Sequence, residues 1–315
     1  MSLTYLRSLL VVVILSLLVL LPASQVMAQS SSQAITIIPP RFTLLGNPGD
    51  SIVDIVRVRN ESDNPLTLKV LVRNFSTSGE EGQVVIEEGE DASSFDLASW
   101  IEPATKEMIL QPKQEMPLQF TINIPKNAEP GGHYASILFQ SGGDNPIPGS
   151  AVVSQRIASL ILLRVSGTIV EDASVESFEA PSYLESGPVT FTLRVKNNGN
   201  VHIRPEGMIV ITNMFNQKVA QIPLEGRNVI PGAIRRMDTV WEGEKLFGKY
   251  KATLIASYGQ GNPQKQLTAV TTFTVASKTH IILLIAGVAA TIFLILGLIG
   301  GRKRLSKAIK IITSG

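Results

Sequence analysis

The chain has 315 residues, 44% of them hydrophobic, and no cysteine, so its stability comes from packed cores without disulfides, as suits a prokaryotic envelope protein. Its net charge of +2 comes from 28 basic and 26 acidic residues, but Arg7 near the start and Arg302, Lys303, Arg304, Lys307 and Lys310 near the end leave 22 basic against 26 acidic residues between them, a net of −4. That balance excludes bulk attraction to nucleic acid, and binding to an anionic wall would need local contacts.

Residues 1–28 have the form of a cleavable secretory signal peptide. A single charge, Arg7, precedes an apolar run from Leu9 to Leu21, the breaker Pro22, and Val26-Met27-Ala28, where small residues suit cleavage after Ala28. The following 250 or so residues are patterned as strands. Leu66, Leu68, Val70 and Val72 alternate with polar positions, as do Leu118, Phe120, Ile122 and Ile124, and later Phe191, Leu193 and Val195. A period of two with one polar face predicts half-buried antiparallel strands. Turn clusters such as Asn47-Pro48-Gly49-Asp50, Asp63-Asn64-Pro65 and Asn197-Asn198-Gly199-Asn200 separate them. The expected fold class is therefore all-β, with two tandem immunoglobulin-like β-sandwiches followed by one transmembrane α-helix.

A weak internal repeat supports two copies of one plan. Val56-Arg57-Val58-Arg59-Asn60 matches Leu193-Arg194-Val195-Lys196-Asn197, and Gly132-His133-Tyr134 matches Gly248-Lys249-Tyr250. The spacing is longer in the first copy, which places an insertion between Phe75 and Pro103, around the acidic run Glu80 to Asp91. That run lacks the order of a calcium loop and reads as a solvated loop. The domain boundary falls near Gly167, giving a first sandwich over 29–167 and a second over 168–278. Asn60-Glu61-Ser62 and Asn74-Phe75-Ser76 have the form of glycosylation sequons, and we read them as turn and strand-end chemistry.

Residues 281–299 carry no charge over nineteen positions, a helical length of roughly 28 Å, close to the thickness of a bilayer core. The basic residues of 300–315 then predict a cytoplasmic tail, with 29–280 outside the cell.

The sequence offers little for catalysis. His133, His202 and His280 are its three histidines, and neither nucleophile motifs nor metal-ligand spacings occur, so we expect a non-enzymatic protein without metal or cofactor. Three residues are candidates for ligand contact. Trp100 offers an aromatic face on which sugar rings could pack. His133 and Tyr134 lie in Pro130-Gly131-Gly132-His133-Tyr134, the most distinctive short segment. Tyr134 recurs as Tyr250 and so has the stronger structural reading, whereas Lys249 replaces His133 in the second copy.

The order of segments between Thr43 and Val165 resembles a known family. It comprises Pro48-Gly49-Asp50 opening a strand that ends at Asn60, an insertion closing on Ser99-Trp100-Ile101, the turn Leu110-Gln111-Pro112-Lys113, then Pro130 to Tyr134 and an apolar strand to Val165. This is similar to the peptidoglycan-binding domain of the WxL-interacting surface proteins. The resemblance implies two immunoglobulin-like domains on a single-pass anchor in the cell membrane, the first binding peptidoglycan or another wall polymer and the second binding a secreted or surface protein. An alternative is a scaffold that lends a sheet edge to a secreted partner, with the apolar strand 157–165 as its cue.

Overall fold

In the computed structural model the alternating segments become strands, numbered here in chain order; it describes residues 35–87, 95–141, 155–243, 246–261 and 263–313. The expected signal peptide and Glu88, Glu90 and Asp91 of the acidic run lie outside those residues. The first part holds β1 (Ile35–Ile38), β2 (Arg41–Gly46), β3 (Ser51–Asn60), β4 (Leu66–Ser78), β5 (Gln83–Ile86), β6 (Ile101–Pro103), β7 (Glu107–Leu110), β8 (Glu115–Asn123), β9 (Gly131–Ser141) and β10 (Gln155–Val165). The second holds β11 (Ala173–Glu179), β12 (Tyr183–Leu184), β13 (Val189–Asn197), β14 (Glu206–Asn213), β15 (Lys218–Leu224), β16 (Ile234–Trp241), β17 (Gly248–Tyr258) and β18 (Lys265–Val275). A helix, α1 (Lys278–Thr313), follows. The described chain is thus all-β up to that helix.

Each part is a sandwich. The sheet β1-β3-β8-β6 faces the sheet β2-β10-β9-β4-β5, with β7 also paired to β4. Val56, Val58, Leu118 and Phe120 of one sheet share a core with Leu68, Ile137, Phe139 and Ile161 of the other. In the second part β11-β13-β16 faces β12-β18-β17-β14-β15, and Phe191, Leu193 and Met237 pack on Ile209, Leu254 and Phe273. Burial of each such side chain contributes about 1.5–3 kcal/mol.

One device recurs in both sandwiches. Asn60 ends β3 fully buried, and its amide donates to the carbonyls of Asn64, Leu110 and Gln111 while its oxygen accepts from the Ser62 N–H. Asn197 ends β13 equally buried, donating to the carbonyls of Val201 and Val229 and accepting from the Gly199 N–H. A buried amide with its bonds satisfied pins a turn to the strand opposite. The Asn60 sequon is therefore turn chemistry, and Asn74 likewise accepts from the N–H groups of Leu97 and Ala98.

Two strands depart from the half-buried expectation. All but one residue of β9 are buried, because its outer face is covered as well as its inner one. The strand 157–165, expected to offer a free edge, lies within β10 and is paired to β9 along its length and to β2 from Leu160 to Val165. That part of its edge is occupied, so the cue for strand lending is lost there.

Helix α1 covers the apolar run 281–299 and continues into the basic tail; its side chains are described for Lys278, Thr279 and 281–297. Ile281, Ile282, Leu283, Leu284 and Ile285 are successive exposed positions and so point around the whole helix. Among the described residues no helix is long and apolar enough to cross a membrane.

Candidate functional site

The three residues singled out from the sequence sit together, Trp100 at the end of the segment 95–100 and His133 and Tyr134 beneath it. Trp100 is half-buried, with its ring 4.5 Å from that of His133. His133 is only 3% exposed, and its Nδ1 and Nε2 lie 3.0 and 2.9 Å from the carbonyl oxygens of Asp96 and Glu129. Tyr134 is 2% exposed. Its N–H donates to the Phe95 carbonyl, and its hydroxyl approaches Nδ1 of His202 in the second sandwich at 3.4 Å. The His133 imidazole, enclosed between two carbonyls, and the Tyr134 phenol are therefore both turned inside the protein, where they hold the 95–100 segment on β9 and reach across to the second sandwich.

The junction between the sandwiches is built from both. Phe75, Tyr134 and Leu162 on the outer face of the first form a small cluster with Ile230 of the second. At the turn before β9 the Gly132 N–H donates to the Asn200 carbonyl, and the Asn200 amide donates to the Pro130 carbonyl. Gly131 has φ +137, and a Cβ there would lie 2.6 Å from the Asn200 carbonyl, so glycine is needed for this approach. A second contact comes from the β4–β5 hairpin. Its tip was expected to be a solvated loop, but the Glu80 carbonyl accepts the Arg236 N–H and the Glu80 carboxylate grips Arg194 through Nε at 2.7 Å and through Nη2. That guanidinium holds the Glu80 carboxyl below its usual pKa. The described part of the acidic insertion is thus a clasp on the second sandwich.

Between the two contacts lies a cleft. It has two adjoining chambers of about 370 and 340 Å³, which share Arg41, Arg204 and Asn228. Arg164 lines one chamber, and Arg227 and Arg235 line the other. Of these five arginines, Arg164 is paired with Glu171 at 2.5 Å and Arg204 with Glu206 at 2.7 Å. Among the described residues neither Arg41 nor Arg227 has an ion-pair partner. The Arg235 Nε is buried without a hydrogen-bond partner.

Two titration shifts in the cleft come first from burial and then from neighbouring arginines, with Glu81 acting the other way on Arg235. His202, in the cleft wall, has its pKa lowered from 6.5 to about 4, first by burial and then by the charges of Arg164 and Arg41. Arg235 is lowered by burial and then by the charge of Arg227. A chain segment with a net acidic balance therefore contains a local basic cleft, fit for a phosphate or carboxylate that would pair with planar guanidinium forks. Among the described residues no group of three or more His, Cys, Asp or Glu side chains is placed to hold a metal.

No protein-family model matches the chain, and no curated protein matches it. Solved structures similar to it include a CFA/I fimbrial chaperone–tip adhesin complex, at 14% identity over 77% of this chain and all of that one, with a TM-score of 0.38. The CsuC–CsuE chaperone–tip adhesion subunit complex of Acinetobacter baumannii matches at 12% identity over 75% and 97% of the two chains, with a TM-score of 0.37. The E. coli chaperone DraB matches at 15% identity over 75% and 98%, with a TM-score of 0.35. The likeness is one of paired immunoglobulin-like β-sandwiches, and at these scores it carries no argument about function.

The sequence reading missed the cleft because its arginines are spread from position 41 to position 235 and only the fold gathers them. The nearest local signal is the basic cluster Arg227, Arg235 and Arg236 within an otherwise acidic stretch of sequence.

Proposed function

We propose that the protein is a non-enzymatic, membrane-tethered envelope protein whose two sandwiches hold an anionic segment of a wall polymer in the cleft between them. The observation that carries this reading is the arginine cleft, with Arg41 and Arg227 free of ion-pair partners among the described residues and the Arg235 Nε unpartnered. A binding site of this kind supplies the local contacts that a net charge of −4 otherwise withholds. Peptidoglycan with its carboxylates fits, as do phosphate-bearing wall polymers. The likeness of the first sandwich to the WxL-interacting surface proteins agrees with it.

The tether in this reading is α1. Apolar side chains on every face of a helix, with no side packed away, suit a lipid surrounding, and the uncharged run continues to Ile299. The basic tail then lies in the cytoplasm and the sandwiches outside. Anchoring keeps the cleft at high effective concentration beside the wall, so a modest affinity per site suffices. A second surface protein engaged by the second sandwich completes the reading.

The test is cosedimentation of the detergent-solubilised full chain with purified wall sacculi, prepared with and without their phosphate polymers. We expect retention that falls as salt is raised, with the two preparations telling carboxylate from phosphate. Retention no greater than that of an unrelated β-sandwich protein on both preparations would sink the proposal.

A further inference from the structure

One end of the second sandwich gathers features that neither its core nor the cleft uses. The register of β18-β17-β14 places Val275, Gly248 and Asn213 at that end. The turn Asn213-Met214-Phe215-Asn216 leaves Met214 65% and Phe215 73% exposed, and Phe247, just before β17, is 62% exposed. A Cβ on Gly248 would lie 3.6 Å from the Met214 sulfur, so the turn and the start of β17 are neighbours.

The chain leaves for α1 from this same end. Only Ala276 and Ser277 separate β18 from α1, so the sandwich end lies within about 10 Å of the helix start. Tyr183 fastens the joint by donating its hydroxyl to the Ala276 carbonyl at 2.5 Å, and Lys278 pairs with Glu185 at 2.5 Å. Lys249 and Lys251 line the groove beside Met214 and Tyr250, and Lys218 is exposed just beyond the turn. Glu185, beside the joint, is already paired with Lys278.

Exposed aromatic and thioether side chains ringed by lysines match the chemistry of an anionic bilayer surface. Apolar groups enter the boundary between headgroups and acyl chains, and ammonium groups meet lipid phosphates. We propose that Met214, Phe215 and Phe247 form a membrane-contacting foot, which rests on the bilayer and sets the tilt of the second sandwich. This rests on the reading of α1 as the anchor. It goes beyond anchoring, because it assigns the orientation of the ectodomain to named residues outside the helix.

Because the chain has no cysteine, single-cysteine labelling is clean. Phe215→Cys, Phe247→Cys and, as a control in the first sandwich, Val53→Cys would each carry a fluorophore, in the full chain reconstituted into vesicles with and without anionic phospholipid. Lipid bearing a headgroup-region nitroxide supplies the quencher. The foot predicts quenching at 215 and 247 at least threefold that at 53, stronger on anionic vesicles. Equal quenching at all three positions, in a chain that alkaline carbonate fails to extract, would overturn the foot and leave the anchor standing. Extraction by carbonate would overturn the anchor and the foot with it.

Discussion

Asn60 and Asn197 show how much a single buried side chain can carry. Each donates from a buried position to carbonyls of its own turn and of the segment opposite and accepts a backbone N–H in return, so removing the amide breaks all of these bonds inside the protein at once. Asn197→Leu should lower the unfolding free energy by about 2–4 kcal/mol, whereas exposed Asn198→Ala should change it by less than about 0.5 kcal/mol. Urea denaturation of the two variants beside wild type checks this, and equal midpoints would contradict it.

His202 makes a second prediction at this scale. Its folded pKa is lowered from 6.5 to about 4, so above pH 6.5 the ring is neutral both folded and unfolded and contributes no pH dependence. As pH falls from 6.5 towards 4, the unfolded chain gains a proton that the folded one refuses; stability is lost through that window and the loss levels off below it. His202→Gln should therefore lose less stability than wild type between pH 7 and pH 4.5, as read from thermal unfolding. Identical losses would mean that His202 takes no part.

The β4–β5 hairpin forms one of the two contacts that couple the sandwiches. Gly82 at its tip has φ +60, and a Cβ there would fall 1.2 Å from Nη1 of Arg235. Gly82→Ala therefore strains the turn and displaces the Arg235 guanidinium from the cleft. Amide exchange at Arg236, whose N–H is held by the Glu80 carbonyl, should speed up on the order of tenfold. The Leu193 amide inside the same sheet should stay unchanged, and unchanged exchange at Arg236 would contradict the clasp.

These elements also show what can be read from sequence and what cannot. Strands with one wet face, such as β8 and β13, declare themselves by alternation, and the Asn60–Asn197 correspondence survives in the folded chain, whereas Tyr134 belongs to the outer-face cluster and Tyr250 to the second core, so that pairing does not. β9 reads only as an apolar run after glycines, because the cover over its outer face comes from the hairpin, the 95–100 segment and the second sandwich. The acidic tip reads as a loop in the sequence because Arg194 and Arg236, its partners, lie more than a hundred residues away in the chain. Trp100, His133 and Tyr134 stand out in the sequence, but nothing local reveals that the His133 imidazole is buried along with Tyr134.

At the scale of the whole molecule, charge segregation is the organising fact. The basic end makes the chain look cationic, the sequence before it is acidic, and within that acidic part the cleft is basic again. In the proposed arrangement a foot on the membrane and a cleft above it would hold a wall polymer at a fixed height, and neither sandwich alone contains all five arginines. The most direct measurement is retention of the full chain on purified sacculi, comparing wild type with Arg41→Glu/Arg227→Glu, which reverses the two cleft arginines without ion-pair partners and leaves both cores untouched. The account predicts at least a tenfold loss of retention in the variant with unchanged thermal stability. Retention equal to wild type would contradict it.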